Sequence, residues 1–102
     1  MQRALGMHGG TTRQLLVEAG PFELDLRSVA TKAGWSLSGQ LLGPTPATAG
    51  EARLTGVSAS ARSELTDMLE FSVPPLPAGR YHLQLLVGGA TQIELESLIL
   101  GL

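Results

Sequence analysis

Apolar residues recur at every second position in short runs, and this period limits the fold more than any other feature of the chain. In PFELDLRS (21–28), Phe22, Leu24 and Leu26 alternate with charged residues, the pattern of a strand with one buried face. Six further runs with this tendency are residues 14–19, 35–42, 51–60, 69–73, 80–87 and 91–98. Only ARSELTDM (61–68) is a candidate for a helical turn. The sequence therefore predicts an all-β fold, a seven-stranded antiparallel β-sandwich.

Prolines and a glycine separate two of these runs in VPPLPAG (73–79). Proline lacks the N–H that a central ladder requires, so we expect the preceding strand to end by Pro74. The segment that follows is predicted to stay extended and to pass from one sheet to the other. Gly79 is expected at a positive φ at the corner, and Leu76 is expected to close the open end of the sandwich.

A chain of 102 residues is the size of one domain with a single core. We predict a flexible amino-terminal segment at residues 1–13 and a single β-sandwich domain at residues 14–102. The composition of residues 43–50 (GPTPATAG) predicts a loop. Gly88-Gly89 lies between two alternating runs, which predicts a tight hairpin turn.

Charge and composition exclude several classes of function. The net charge is −2, and the seven basic residues are scattered along the chain, whereas nucleic-acid binding needs clustered cations. The chain has no cysteine, so it has neither disulfides nor thiolate metal sites. No apolar run is long enough for a signal peptide or a membrane span. We expect a soluble protein without membrane insertion, with the cytoplasm as its default location.

Chemistry-bearing residues are few. Ser72, His82 and Asp67 could be assembled into a catalytic triad on paper, but no nucleophile motif accompanies them. His82 alternates with inward residues and is expected to face solvent. Glu94 and Glu96 lie on one outward strand face and could pair with Arg80 or His82 on the next strand. The only other histidine, His8, lies in the segment predicted to be flexible, and two such histidines far apart do not make a transition-metal site. We predict no catalytic, metal-binding or cofactor-binding residues.

All four aromatic residues fall on predicted inward faces: Phe22, Trp35, Phe71 and Tyr81. Ring platforms for sugars or single-stranded nucleic acid need exposed aromatic faces. We therefore expect these rings to belong to the core.

The chain has more aliphatic residues than one buried face requires. The residues in excess, which form a candidate interface, are Leu42, Leu86, Leu98, Ile99 and Leu100. A strand that is apolar on both faces is either covered on both sides or part of an interface. Two interpretations stay open: amino-terminal residues or a shifted register bury these side chains, or they contact a protein partner or a second copy.

The segment TDMLEFSVPPLPAGRYHLQLLVGG (66–89) resembles the carboxypeptidase-regulatory-like, or transthyretin-like (prealbumin-like), β-sandwich families, including the collagen-adhesin B-type repeats. The matching residues are Thr66-Asp67, Phe71, Leu76-Pro77-Ala78-Gly79 and Tyr81. Family members usually have a glycine before the aromatic strand, where this chain has Met68-Leu69-Glu70. The resemblance covers about residues 35–100 and implies a transthyretin-like Greek key.

The resemblance also bears on function. The transthyretin-like hydrolases that open a purine-derived ring use several histidines and a YRGS-like carboxy terminus. This chain has only two histidines and ends in ILGL. The adhesin repeats often carry a lysine-to-asparagine isopeptide crosslink, but this chain has no asparagine. An aspartate variant of the crosslink would need Asp25 or Asp67 beside Lys32 in a dry core. Most family members are accessory modules without chemistry of their own. The prediction is a non-catalytic accessory or protein-interaction module; the alternatives are a small-ligand or carbohydrate-binding sandwich and a hydrolase that uses His82.

Overall fold

The computed structural model describes residues 2–3, 12–44, 50–88 and 90–101. Its strands are β1 (Gln2–Arg3), β2 (Thr12–Ala19), β3 (Phe22–Thr31), β4 (Gly34–Leu42), β5 (Gly50–Gly56), β6 (Ser60–Glu64), β7 (Glu70–Leu76), β8 (Gly79–Val87) and β9 (Ala90–Leu100). These residues contain no helix, and hence no apolar helix of membrane-spanning length. The predicted all-β class is confirmed.

The strands form two antiparallel sheets. The first has the order β1-β2-β3-β4-β7 and the second the order β6-β5-β8-β9. The chain thus runs through the hairpins β2–β3–β4, crosses to the second sheet for β5 and β6, returns for β7 and crosses again for β8 and β9. Side chains from both sheets share one hydrophobic core, which is the arrangement of a sandwich.

The predicted strand phases are confirmed by burial. The inward residues of the clearest runs are fully or nearly buried: Leu24, Leu26, Leu37, Leu41, Phe71, Val73, Tyr81, Leu83, Leu85, Val87 and Ile93. Phe22 and Trp35 are half-buried and pack against this core. The alternation therefore identified the core face of β3, β4, β7 and β8, and of the first part of β9.

The number of strands differs from the prediction of seven. Eight strands in the described part of the chain have five or more residues, and the additional one is β6. It includes residues 61–64, the first half of the segment that was a candidate for a helical turn. The inward residues of β6, Ala61 and Ser63, are half-buried and pair with β5 at Leu54 and Ala52. Such small side chains give no strong apolar alternation, which is why the sequence pattern missed this strand.

The prediction that the strand ends by Pro74 is wrong, because β7 continues through Pro74 and Pro75 to Leu76. β7 lies at the edge of its sheet, where a missing N–H on the open side costs no ladder bond. The register also shifts there, since Leu37 pairs with Val73 but Trp35 pairs with Leu76. The two prolines therefore lie in a bulge on an edge strand.

The crossing from β7 to β8 consists of Pro77 and Ala78 alone, with a bend at Ala78. Leu76 is buried in the core, and Gly79 has a φ of 155°. Tyr81 follows, with its ring in the core and its hydroxyl donating a hydrogen bond to the carbonyl oxygen of Pro77 at 2.7 Å. A tyrosine that bonds the backbone a few residues upstream of a strand is a recurrent corner device of Greek-key sandwiches.

The turn before β7 contains a strained residue. Thr66 organises it, because its hydroxyl oxygen accepts hydrogen bonds from the amides of Met68 (3.2 Å) and Glu70 (3.1 Å). Its carbonyl oxygen accepts one from the amide of Leu69 at 2.8 Å. Leu69 has a φ of 59° and is the single non-glycine residue with positive φ in the described part of the chain. Its side chain is buried, so packing offsets the cost of this conformation.

Parts of the predicted domain boundaries can be compared with the structure. The backbone of Gln2–Arg3 pairs with Leu15 and Gln14 of β2, and β2 begins at Thr12 rather than Gln14. The predicted flexibility of residues 4–11, and most of the predicted loop at residues 43–50, lie outside the described residues. Val87 pairs with Ala90, as the predicted two-residue hairpin requires, although Gly89 is not described.

Candidate functional site

The two sheets bring β2 and β9 together along one side of the sandwich, which we call the β2–β9 flank (Arg13–Leu15 and Ser97–Gly101). No ladder joins these strands, because they belong to different sheets. Instead, Nη1 of Arg13 donates a hydrogen bond to the carbonyl oxygen of Gly101 at 2.8 Å. This bond ties the first sheet to the end of the second.

A cavity of about 200 Å³ lies between the sheets at this flank. Its aliphatic lining residues are Leu15, Leu26, Leu37, Leu98, Ile99 and Leu100, and its polar ones are Arg13, Gln14, Ser28 and Ser97. A dry apolar cavity of about 150 Å³ is enough to hold benzene. The flank therefore has room for a ligand of several carbon atoms.

Strand register divides one wall of the cavity into a polar row and an apolar row. Arg13 pairs with Ser28 across β2 and β3, and Leu15 pairs with Leu26 two residues further along. Residues two apart share a face of a strand, so all four lie on the inward face. The Cβ atoms of such cross-strand partners are about 4.5–5.5 Å apart. A charged and a hydroxyl group therefore lie next to a hydrocarbon surface.

Ser28 is the polar member of the buried series of β3. It is only 7% exposed, and its hydroxyl has no hydrogen-bond partner among the described residues. A buried hydroxyl left without a partner costs about 1–3 kcal/mol. Such a cost in a lined cavity points to a group that the hydroxyl could bind.

Arg13 has unused bonding capacity as well. A guanidinium carries five N–H donors, and one of them is directed at the neutral Gly101 carbonyl. Arg13 forms no ion pair with a described residue. Its charge is therefore not neutralised by the described part of the chain, although its side chain is half-buried.

The second feature of the flank is the free edge of β9. Within the described residues, β9 is hydrogen-bonded on one side only, to β8. Its register shifts between Leu95 and Leu98, because these residues pair with Leu83 and Tyr81. Glu96 and Ser97 thus face the single residue His82. This bulge divides the edge and leaves Leu98–Leu100 as a regular terminal part.

The structure does not bring the five predicted interface residues together. Leu98 and Leu100 are buried in the core, because the bulge turns both of them inward. Ile99, between them, is 45% exposed on the outward face of β9. Leu86 is half-buried on the outward face of β8, opposite Thr91 and thus at the other end of the ladder. Leu42 is 43% exposed, but it lies in the first sheet.

The outward face of the second sheet carries the ion pairs. His82 Nε2 lies 2.6 Å from Glu94 Oε2, as the sequence predicted for an outward histidine. Ser72 lies on the outward face of the first sheet and is exposed. The hypothetical catalytic triad of Ser72, His82 and Asp67 is not assembled, because its serine and histidine project from opposite sides of the sandwich.

A second group of ion pairs on this face is centred on Glu51 of β5. The Glu51 carboxylate accepts a hydrogen bond from the Arg53 guanidinium and lies 3.9 Å from Nη1 of Arg62. The bond from Arg53, helped by the charges of both arginines, lowers the pKa of Glu51. Arg53 and Arg62 are direct cross-strand partners, so Glu51 balances two like charges that would otherwise repel.

Among the described residues, no three acidic or histidine side chains are close enough together to hold a metal ion. The four aromatic rings are buried or half-buried. The β2–β9 flank, with the unpartnered Ser28 hydroxyl and the Arg13 charge, is therefore the best candidate for a binding site among the described residues.

Sequence analysis did not identify the two polar residues of this flank. Arg13 was assigned to the flexible amino-terminal segment, whereas it belongs to β2. Ser28 ended a predicted strand, whereas β3 continues to Thr31. One signal was present: Ser28 continues the inward series Phe22, Leu24, Leu26, and a polar residue at an inward position is the informative exception in such a series.

No protein-family model matches the chain, and comparisons with curated proteins and with solved structures find no match either.

Proposed function

We propose that this chain is a non-catalytic protein-interaction module that docks an extended segment of another polypeptide along the free edge of β9. The observation that carries this proposal is the one-sided pairing of β9 among the described residues. An edge strand offers unpaired N–H and C=O groups, and adding a strand to such an edge is a common mode of peptide recognition.

Two of the other three edge strands in the described residues, β6 and β7, are less suited to this role. β7 carries Pro74 and Pro75, which cannot donate to an added strand. β6 lies close to β7, since the Ser72 amide donates a hydrogen bond to the Ser63 hydroxyl at 3.4 Å. β9 has no proline, so every residue of its edge retains a backbone donor.

The bulge at Glu96 and Ser97 restricts the docking segment to Leu98–Leu100. Ile99 is the exposed side chain there and would contact the added strand's own apolar residue. Replacing Ile99 by lysine should block docking without unfolding the domain, because the side chain already faces solvent and charges protect natural edges. Met68→Lys is the matched control, since Met68 is also exposed but lies in the turn before β7.

A second copy is the simplest partner to test. Light scattering over a wide concentration range should give a mass that rises toward two chains for the wild type and Met68→Lys, and one chain for Ile99→Lys. A wild-type mass of one chain throughout would reject the second copy as the partner.

Random-peptide display then tests a different partner. Peptides are selected on the wild type and depleted on Ile99→Lys, and the enriched peptides should slow hydrogen exchange of the Leu98–Leu100 amides. Peptides that bind both proteins equally, or that protect no β9 amide, would show the proposal to be wrong.

The resemblance to transthyretin-like sandwiches supports the same class of function. Leu69 lies before the aromatic strand, where those families have a glycine, and its φ is 59°, in the region that glycine favours. This agreement is independent of the residues on which the resemblance rests. We propose that the chain is a divergent member of these families. Most of their members are accessory modules, so membership would support an accessory role for this chain.

Small-ligand binding is the second candidate, favoured by the cavity at the β2–β9 flank. Carbohydrate is the less suitable ligand, because Phe71 and Tyr81 are buried and offer no ring face for stacking.

A further inference from the structure

We propose that the cavity at the β2–β9 flank binds a short-chain aliphatic monocarboxylate, of about five to eight carbons by comparison with cavities of known capacity. The carboxylate would lie at the polar row of Arg13 and Ser28, and the hydrocarbon chain along the apolar row of Leu15 and Leu26. This site lies between the two sheets and shares Leu98–Leu100 with the docking edge, but ligand binding and strand docking are measured separately, so either proposal can fail without the other.

The charge of the ligand follows from Arg13. Its guanidinium is half-buried and bonded to a neutral carbonyl, without an acidic partner among the described residues. A carboxylate matches a guanidinium in planar, bidentate geometry. The donors that Arg13 does not use on Gly101 are available for such a pair.

The hydroxyl of Ser28 supplies a second donor in the same row. It is 7% exposed, without a described partner, and lies directly across from Arg13 in the ladder. One carboxylate can accept from both groups, because its two oxygens have about four lone-pair sites. This would satisfy a buried hydroxyl that has no hydrogen-bond partner in the described part of the chain.

The lining of the rest of the cavity favours an apolar tail. Leu15 and Leu26 continue the wall beyond the polar row, and Leu37, Leu98 and Leu100 complete it. The volume of about 200 Å³ is smaller than the usual pocket for a drug-sized molecule, roughly 300–1,000 Å³. A small amphiphilic anion fits both the polarity and the size.

Hexanoate is the probe, followed by the methyl resonances of the leucines in NMR titrations. The expected result is saturable shifts that include Leu15, Leu26 and Leu98, and binding of 1-hexanol that is weaker by about ten-fold or more, as loss of a charged hydrogen bond predicts. The comparison of the two probes uses the unaltered chain, so it does not depend on the folding of any variant.

Three variants assign the residues. Arg13→Gln should weaken hexanoate binding by about ten-fold or more, while leaving the affinity for 1-hexanol nearly unchanged. Ser28→Ala should weaken it by a few-fold. Arg27→Gln is the matched control, because Arg27 is the neighbour of Ser28 on the outward face; it should leave binding unchanged.

The proposal is overturned if hexanoate gives no saturable shift at any soluble concentration, or if the shifted methyls lie elsewhere. Equal affinity for hexanoate and 1-hexanol would remove the anion-binding role. An Arg13→Gln protein that stays folded and binds hexanoate as the wild type does would have the same effect.

Discussion

The hydroxyl of Tyr81 is hydrogen-bonded to the carbonyl oxygen of Pro77, four residues upstream, at 2.7 Å. The bond spans the corner where the chain leaves the first sheet and enters the second, while the Tyr81 ring fills the core below. The Tyr81 side chain thus stabilises the crossing in two ways, through the hydrogen bond of its hydroxyl and through the burial of its ring.

Tyr81→Phe isolates the polar contribution, because the ring and its packing are retained. We expect the free energy of unfolding to fall by about 1–2 kcal/mol, the cost of losing the bond and leaving the Pro77 carbonyl without it. Urea denaturation measures the change. A Tyr81→Phe protein as stable as the wild type would mean that water replaces the bond at no cost.

The positive φ of Leu69 predicts an unusual order of stability for its glycine and alanine variants. Leu69→Ala and Leu69→Gly both remove the buried side chain, and the alanine variant should lose about 2–4 kcal/mol. Glycine, however, relieves the positive φ of 59°, so we expect Leu69→Gly to be about 1 kcal/mol more stable than Leu69→Ala. Ordinary strand positions have the reverse order, and finding it here in denaturant titrations would contradict the strained geometry.

Gly39 and Phe71 are cross-strand partners on the core face of β4 and β7. A Cβ added at Gly39 would lie 2.6 Å from the Phe71 ring, closer than any real contact. Gly39→Ala should therefore cost about 1–3 kcal/mol through overpacking. Combined with Phe71→Leu, which vacates that space, the alanine should cost less than it does alone. Additive effects in this double-mutant cycle would show that the clash is relieved elsewhere.

Glu51 predicts a pH dependence of stability. The Arg53 hydrogen bond lowers the pKa of Glu51 in the folded protein, so folding favours the charged carboxylate. The contribution is complete above the unfolded pKa, about 4.3, and is lost as the pH falls through the lower folded value. Unfolding midpoints of wild type and Glu51→Gln should therefore differ at neutral pH and converge in acid. Glu70→Gln, which removes a carboxylate without an ion pair among the described residues, is the control; a Glu51 difference that persists in acid would reject the ionic origin.

Local alternation predicted which face of β3, β4, β7 and β8 is buried, because that property depends on neighbours two residues apart. It could not predict that β7 would tolerate Pro74 and Pro75, since this depends on β7 being an edge strand. Edge position is a property of the whole topology, and short-range patterns do not contain it.

The same limit applies to the candidate interface. The sequence treated Leu98, Ile99 and Leu100 as one apolar run, and left open whether a shifted register buries part of it. A bulge opposite His82 turns Leu98 and Leu100 inward, and only pairing with β8 reveals it. The cavity at the β2–β9 flank was likewise invisible, because Arg13 and Gly101 are 88 residues apart.

That separation has a consequence for the order of folding. The hairpins of β2, β3 and β4 join neighbours in sequence, whereas the Arg13–Gly101 bond closes almost the entire described chain. Contacts of such long range form after local ones, because their loop-closure entropy is repaid only when both partners are in place. We therefore expect the β2–β9 flank to be among the last parts of the sandwich to close. Opening this flank would break the Arg13–Gly101 bond but no ladder bond of either sheet, because β2 and β9 belong to different sheets.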